Sequence, residues 1–183
     1  TNVEVYCVHP GGINTNIFPA TNQPVISTNV TAQNITILPG ASLTINPNIT
    51  LTVCGNFTNF GTLHIDPTST ILMSNGSVLQ NFDGLLTASN SLGNVVITKT
   101  GGSVNLNSTT EIAGNLTTSN NTSILNLNAN HLKVQKNIFN ALGSVTFNGI
   151  TSGSTLEFNG SVPQTLFSNG NINTTNLILN HQC

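Results

Sequence analysis

Short segments that alternate aliphatic with polar residues recur along this chain at a step of about 20 residues. One series comprises Leu43-Thr-Ile45, Leu63-His-Ile65, Leu85-Leu-Thr87, Val104-Asn-Leu106, Leu125-Asn-Leu127, Val145-Thr-Phe147 and Thr165-Leu-Phe167. The period of two predicts β-strands, and the Asn, Pro and Gly residues between segments predict turns. A nearly constant step of this size predicts an all-β parallel β-helix (β-solenoid), because a sandwich or barrel would not require it.

A second series keeps a similar but less even step. It comprises Leu51-Thr-Val53, Ile71-Leu-Met73, Val95-Val-Ile97, Thr110-Glu-Ile112, Leu132-Lys-Val134, Leu156-Glu-Phe158 and Leu177-Ile-Leu179. A third, shorter strand is indicated by Phe57, Leu116 and Ile138, each of which follows an Asn. Because successive residues of a strand point to opposite faces, the middle residue of each triplet should point outward and its neighbours inward.

The chain also contains a longer internal echo. The segment L-T-I-N-P-N-I-T-L-T-V-C-G-N-F (43–57) returns as L-N-L-N-A-N-H-L-K-V-Q-K-N-I (125–138), and N-G-S-V-L-Q at Asn75 returns as N-G-S-V-P-Q at Asn159. We therefore predict that a unit of four coils was duplicated.

Residues 1–31 are less regular than the rest of the chain. A strand-like run up to Val8 is followed by Gly11, Gly12, Pro19 and Pro24. A stack of repeats leaves an apolar end that must be covered. We therefore predict an N-terminal cap at 1–31 and a solenoid at 32–183, together forming one domain.

The charge of the chain excludes several classes of partner. Charged residues make up 4% of the sequence, and its three basic residues are all Lys. Such a chain cannot assemble the cationic surface that nucleic acids or anionic membranes require, and no apolar run is long enough to span a bilayer. A surface wetted mainly by Asn and Thr favours a secreted, extracellular protein at the cell surface.

Glu111, Lys133 and Glu157 align at one outward position on three successive coils. Two carboxylates in such a column are the groups that glycoside cleavage uses. The alternative is a surface ion-pair column, in which charges of alternating sign attract one another. We favour the ion-pair column, since polysaccharide-cleaving solenoids also need a cleft and further acids, usually with Arg or a metal. We expect no catalytic residues, metal or cofactor.

The three cysteines leave one unpaired in an oxidising compartment. Cys7 and Cys54 are the favoured disulfide pair, which leaves Cys183 free. In the alternative, Cys183 of one subunit bonds to Cys7 of the next. Cys7-x-His9 and His181-x-Cys183 together contain the donors of a Cys2His2 zinc site, but their spacing is not that of a familiar zinc motif and chance explains it better.

From Pro24 to Leu63 the chain resembles repeat segments of large secreted surface proteins of Bacteroidota-type bacteria. The quoted stretch is P-V-I-S-T-N-V-T-A-Q-N-I-T-I-L-P-G-A-S-L-T-I-N-P-N-I-T-L-T-V-C-G-N-F-T-N-F-G-T-L, and the G-N-L-T, F-N-G-S and N-L-I-L-N segments are similar too. The resemblance implies a parallel β-helix, export to the cell surface, and an adhesive or scaffold role within a long protein. It carries no catalytic residues to transfer.

These observations predict a non-enzymatic rod that stacks head-to-tail on copies of itself or on neighbouring modules, forming a fibre or adhesin stalk. A carbohydrate-binding module for surface glycans is the alternative, and a polysaccharide-degrading enzyme is less favoured. An ice-binding face is disfavoured, because the outward column expected through Thr44 is mixed: Thr44, His64, Leu86, Asn105, Asn126, Thr146 and Leu166.

Overall fold

The chain winds into a parallel β-solenoid of about six turns, with about 22 residues per turn and almost no helix. This confirms the all-β parallel β-helix that the repeat predicted. The structure, a computed structural model, describes residues 3–6, 23–119, 122–140, 147–148, 153–169 and 172–180, and for 3–6, 140 and 147–148 it describes the backbone alone. The predicted cap at 1–31 falls mostly outside the described residues and stays a prediction.

Each turn contributes a strand to each of three faces, and the strands are numbered β1 to β22 in chain order. Face 1 contains β2 (Val25–Ile26), β5 (Ser42–Ile45), β8 (Thr62–Ile65), β13 (Thr110–Ile112), β16 (His131–Val134), β19 (Thr155–Phe158) and β22 (Asn176–Leu179). Face 2 contains β3 (Val30–Ala32), β6 (Thr50–Val53), β9 (Thr70–Met73), β11 (Asn94–Ile97), β14 (Leu116–Thr118), β17 (Ile138–Asn140) and β20 (Leu166–Ser168). Face 3 contains β1 (Val3–Tyr6), β4 (Asn34–Ile37), β7 (Phe57–Asn59), β10 (Gln80–Gly84), β12 (Ser103–Leu106), β15 (Ile124–Asn126), β18 (Phe147–Asn148) and β21 (Ile172–Asn173).

Face 1 is interrupted between β8 and β13. There a 3-10 helix (Ala88–Asn90) replaces a strand, and single bridges join Leu86 to Thr110 and Leu92 to Ile112. In the part of the chain that the structure describes, every pairing between strands is parallel except that of β1, which runs antiparallel to β4. A third strand in each turn is therefore present, but the residues that indicated it do not share one face: Phe57 lies on face 3, whereas Leu116 and Ile138 lie on face 2.

Alternation along the strands places aliphatic side chains in one continuous core. Strands β4, β5 and β6 each show a half-buried, buried, half-buried, buried pattern, as expected for one covered face. Leu43 lies on Leu63 and Leu51 lies on Ile71, and all four are fully buried. Each such side chain contributes about 1.5 to 3 kcal/mol to folding.

The two predicted series of triplets do not each follow one face. The first series begins on face 1 at Leu43 and continues on face 3 at Val104. The second begins on face 2 at Leu51 and continues on face 1 at Thr110. The cause is uneven turn length: Leu51 pairs with Ile71 after 20 residues, whereas Ile138 pairs with Leu166 after 28.

Two triplets point the opposite way from the prediction. Leu86, the middle residue of one, is fully buried, while Leu85 is 55% exposed. In the other, Leu166 lies over the buried Ile138, and Phe167 lies over Phe139 on the outer surface. In each case an irregular segment precedes the triplet and shifts the alternation by one residue: Gly84 with its positive φ before the first, and the N-G-S-V-P-Q loop before the second.

The internal echo is offset by one face. Residues 43–57 run from face 1 through face 2 to face 3, whereas 125–138 run from face 3 through face 1 to face 2. Both copies turn the corner with left-handed residues: Asn48 in the first (φ 61), and Asn128 (φ 48) with Ala129 (φ 62) in the second. The repeated element is therefore a corner with its flanking strands, and it fits different corners of the solenoid.

Stacked asparagines join successive turns at two corners. Asn56 N–H donates to Asn34 Oδ1 (2.8 Å) and Asn81 N–H donates to Asn56 Oδ1 (3.0 Å). At the other corner, Asn115 N–H donates to Asn94 Oδ1 (2.9 Å) and Asn137 N–H to Asn115 Oδ1 (3.0 Å). These bonds satisfy backbone donors that the strand ladders leave unpaired at the bends, which explains why Asn precedes Phe57, Leu116 and Ile138.

Candidate functional site

Glu111, Lys133 and Glu157 occupy equivalent positions on β13, β16 and β19, where Lys133 pairs with both acidic residues in the register of the sheet. Their neighbours along the strands, such as Ile112 and Leu132, belong to the core, so the three side chains project outward from face 1. Each carboxylate residue is nevertheless only 8% exposed. The two carboxylates of this outward column are therefore largely shielded from solvent.

The carboxylate of Glu111 is fully engaged by hydrogen-bond donors. Ala88 N–H donates to Oε2 (3.0 Å), and Gln135 Nε2 (2.7 Å) and Asn159 Nδ2 (3.1 Å) donate to Oε1. Burial alone would raise the pKa of Glu111, but these three donors and the charge of Lys133 together lower it below the ordinary glutamate value. Glu111 is therefore held as a carboxylate.

The Glu157 carboxylate contacts one residue on the preceding strand of face 1 and one residue of the last turn. His131 Nε2 lies 2.8 Å from Glu157 Oε2, an ion-pair distance, although the orientation is not that of a hydrogen bond. Asn180 Nδ2, just beyond β22, donates to Glu157 Oε1 (3.2 Å). The network of Glu111, Glu157 and their partners is a compact polar cluster, and the lowered pKa of Glu111 is the opposite of the raised pKa that the acid of a glycosidase needs.

Lys99, which the sequence did not single out, is the most unusual charged residue of the described chain. Its side chain is fully buried. Its ammonium group donates to Asn75 O (3.1 Å), to Gln80 Oε1 (2.9 Å) and to Val78 O. Burial lowers the pKa of Lys99. The sequence did contain a signal for this burial: Lys99 lies two residues after the inward-pointing Ile97, and residues two apart along an extended chain point to the same side.

The two N-G-S-V-x-Q segments are anchored in the same way. Gln80 Nε2 donates to Val53 O (2.8 Å) and Gly55 O (2.9 Å), two carbonyls of the preceding turn. Gln164 Nε2 repeats this with Val134 O (2.8 Å) and Lys136 O (2.6 Å). Each loop therefore projects from a fixed base. Lys99 of the next turn covers the first loop, whereas the second loop lies at the last turn.

The last turn leaves the core of the solenoid open. No strand pairs with the outer edges of β20, β21 and β22 among the described residues. Leu177, Ile178 and Leu179 on β22 are 54%, 41% and 74% exposed. A predominantly apolar groove of about 520 Å³ lies beside them, lined by Phe158, Pro163, Gln164, Leu166, Leu177 and Leu179. We call β20–β22 and this groove the open end.

Two aromatic side chains lie side by side on the outer surface of face 2. Phe139 on β17 pairs in register with Phe167 on β20, and Phe167 is 50% exposed while Phe139 is half-buried. Adjacent strands place such residues about 4.8 Å apart. The sequence missed this pair because Phe167 was expected to point inward.

The predicted Cys7–Cys54 disulfide stays a prediction, because Cys7 lies outside the described residues. Cys54 is a half-buried free thiol, and Cys7, His9, His181 and Cys183 lie outside those residues. No group of three or more His, Cys, Asp or Glu side chains suited to a metal ion occurs in the described ranges. The same ranges contain no helix that is long and apolar enough to cross a membrane.

Comparisons of the chain with protein-family models, with curated proteins and with solved structures gave no match. The geometry of the solenoid itself therefore carries the functional argument.

Proposed function

We propose that this chain is a non-enzymatic structural module, an extracellular rod that stacks head-to-tail on copies of itself or on neighbouring solenoid modules. The observation that carries this proposal is the open end. Its final strand, β22, presents Leu177, Ile178 and Leu179 to solvent, and its backbone edge has no partner among the described residues. Exposed, apolar edge strands are the surfaces on which further strands add.

Burial of the apolar side chains at the open end roughly offsets the cost of association. Fully burying an aliphatic side chain contributes about 1.5 to 3 kcal/mol, and three such residues lie on β22 alone. Association costs at least about 4 kcal/mol in translational and rotational freedom. The two terms are of similar size, so hydrogen bonds between strand edges would decide the affinity, and assembly should depend on protein concentration.

The polar cluster supports a structural role over catalysis. Both oxygens of Glu111 accept hydrogen bonds, and its lowered pKa opposes service as a general acid at neutral pH. A location outside the cell is supported by the low charge and by the resemblance to secreted surface proteins. That resemblance also fits a stalk or fibre.

Sedimentation velocity over a wide concentration range tests the proposal. The wild-type protein should form larger species as concentration rises, and Leu179→Lys should shift this transition to higher concentration because it places a charge in the joint. Leu85→Lys is the matched control, since Leu85 is also exposed (55%) but lies far along the chain from the open end. A wild-type protein that stays monomeric throughout, or equal effects of both substitutions, would sink the proposal.

A carbohydrate-binding surface is the second candidate, and the Phe139 and Phe167 pair favours it. Sugar rings stack on exposed aromatic faces, and the side chains beside these two strands are mostly Asn, Ser and Thr. A glycan array should then show binding that Phe167→Ala abolishes while Phe60→Ala, at another exposed Phe (45%), leaves it intact. An array without any binder removes this candidate.

A further inference from the structure

We infer that the joint between two copies is one composite turn, in which β22 of one copy pairs on face 1 with β2 of the next copy. This inference rests on the proposed head-to-tail assembly and specifies its register. The partner is a second copy of this chain, and three independent features of the two ends fit one another.

The first feature is complementary overhang. At the open end, β22 extends face 1 by one strand beyond β20 and β21, which are the last strands of faces 2 and 3. At the other end, β1 extends face 3 by one strand below β4, while β2 and β3 begin faces 1 and 2. When two copies meet, β22 supplies face 1 of the shared level and β1 of the next copy supplies face 3, whereas no described strand supplies face 2 of that level.

The second feature is a match of side chains on the outer surface of face 1. Val25 pairs with Thr44, which pairs with His64, so Val25 occupies the outward position of β2. Ile178 occupies the outward position of β22, after the column of Glu111, Lys133 and Glu157. On face 1, the outward-pointing residue at the centre of each interior strand is thus polar. On the first strand, β2, and the last strand, β22, the outward residue is apolar.

Val25 and Ile178 are 55% and 41% exposed, although β-branched side chains gain most from a cross-strand neighbour. In the composite turn they become direct neighbours. Leu179 would lie inward beside Ile26, which already packs against the core.

The third feature is the absence of charge on β2 and β22, the two strands that pair on face 1, although β1 on face 3 carries Glu4. The three Lys and five acidic residues of the chain are Glu4, Asp66, Asp83, Lys99, Glu111, Lys133, Lys136 and Glu157. None lies between Val5 and Ile65 or after Glu157. Edge strands that must remain single are protected by charges, especially Lys. The strands β2, β3, β20 and β22 carry none, so no charge on these strands opposes the pairing on face 1.

Disulfide trapping tests the register. In a background with Cys7→Ser, Cys54→Ser and Cys183→Ser, Val25→Cys and Ile178→Cys proteins are mixed under mild oxidation. Neighbouring strands place the two Cα atoms about 4.8 Å apart, within the range of a disulfide. We expect the mixed dimer to form at least about tenfold faster than with Thr44→Cys in place of Val25→Cys, because paired thiols reach millimolar effective concentration. Equal rates, or faster Ile178–Ile178 dimers, overturn the inference.

A charge exchange gives an independent readout that retains the native cysteines. Val25→Lys and Ile178→Glu should each weaken association alone, and mixing the two variants should restore it, because the opposite charges would face each other across the joint. No recovery on mixing, with both variants folded by circular dichroism, overturns the inference. If the wild-type protein sediments as oligomers in that case, the assembly proposal survives and only the register is wrong.

Discussion

Replacing Asn94 by Ala should destabilise the solenoid, because this side chain forms hydrogen bonds to both neighbouring turns at one corner. Asn94 Nδ2 donates to Pro67 O (3.1 Å) and Ser69 O (3.2 Å) of the preceding turn. Its Oδ1 accepts the Asn115 N–H of the next turn at 2.9 Å, with a weaker contact of 3.4 Å from the Asn115 side chain. One side chain therefore joins three turns.

The magnitude follows from these contacts. Ser69 O keeps a second donor, the Asn94 N–H at 2.7 Å, so its loss is small. Pro67 O and the Asn115 N–H lose the partner described here. At about 0.5 to 1.5 kcal/mol for each net hydrogen bond, and more for a half-buried donor left unpaired, we expect a loss of about 2 to 3 kcal/mol.

Urea unfolding followed by far-ultraviolet circular dichroism measures this loss. With a slope of about 2 to 3 kcal/mol per molar, the midpoint should fall by about 1 M. Asn105→Ala is the matched control: Asn105 is also half-buried, but its Oδ1 accepts only from the side chains of Ser103 (3.2 Å) and Asn126 (2.7 Å). These side chains can turn to water, so the control should lose less than about 1 kcal/mol.

Amide hydrogen exchange locates the effect. The Asn115 amide should lose protection in Asn94→Ala and keep it in Asn105→Ala. Equal midpoints for the two variants, or an Asn115 amide that stays protected in both, would refute the reasoning that asparagines carry hydrogen bonding around the corners.

Three further predictions concern single residues. Glu111 has a lowered pKa in the folded chain, so its contribution to stability is complete above the ordinary glutamate pKa and is lost as pH falls through the folded pKa. The difference in unfolding free energy between wild type and Glu111→Gln should therefore shrink below about pH 5. A difference that stays constant with pH would contradict this. Lys99 is fully buried, whereas Lys136 is exposed. An amine-reactive acetylating reagent should therefore label Lys99 in the folded protein at least about tenfold more slowly than Lys136, as measured by peptide mass mapping. Equal labelling rates would show that the Lys99 ammonium group reaches solvent. Gly84 has φ +93, and a side chain there would collide with the Asn59 carbonyl, so Gly84→Ala should lower the unfolding free energy by at least about 2 kcal/mol in the same urea assay. Gly101→Ala is the control: its added methyl group would make only van der Waals contacts, so the unfolding free energy should change by less than about 1 kcal/mol. Similar losses in the two variants would remove the steric explanation.

The repeat of alternating triplets was sufficient to predict the solenoid, because a period of two and a step near 20 residues admit few other folds. It was not sufficient to assign strands to faces. A pattern in one dimension records spacing, whereas the face of a strand depends on how many residues each corner consumes, and the 28 residues between Ile138 and Leu166 exceed the mean step by a quarter or more. Phe167 was therefore assigned to the core, and its place beside Phe139 was missed.

For the charged side chains, the sequence predicted where they align but not which groups surround them. The alignment of Glu111, Lys133 and Glu157 follows from register alone, which the sequence contains. The environment of Glu111, however, depends on Gln135 and Asn159, which lie at neighbouring corners and donate to its carboxylate from two different turns. Lys99 shows the same limit, because its acceptors come from a loop 19 to 24 residues earlier in the chain.

The offset of the internal echo by one face has a consequence for how such a chain diversifies. A copied corner element keeps its inward aliphatic residues, so it fits into the stack at whichever corner it lands. Its outward residues, however, move to another side of the rod, as with His131 and Lys133, which lie on face 1 although their counterparts in the earlier copy, Thr50 and Thr52, lie on face 2. Duplication in such a chain therefore shuffles surface chemistry around the axis while leaving the interior unchanged, and new combinations of neighbouring side chains arise without any substitution.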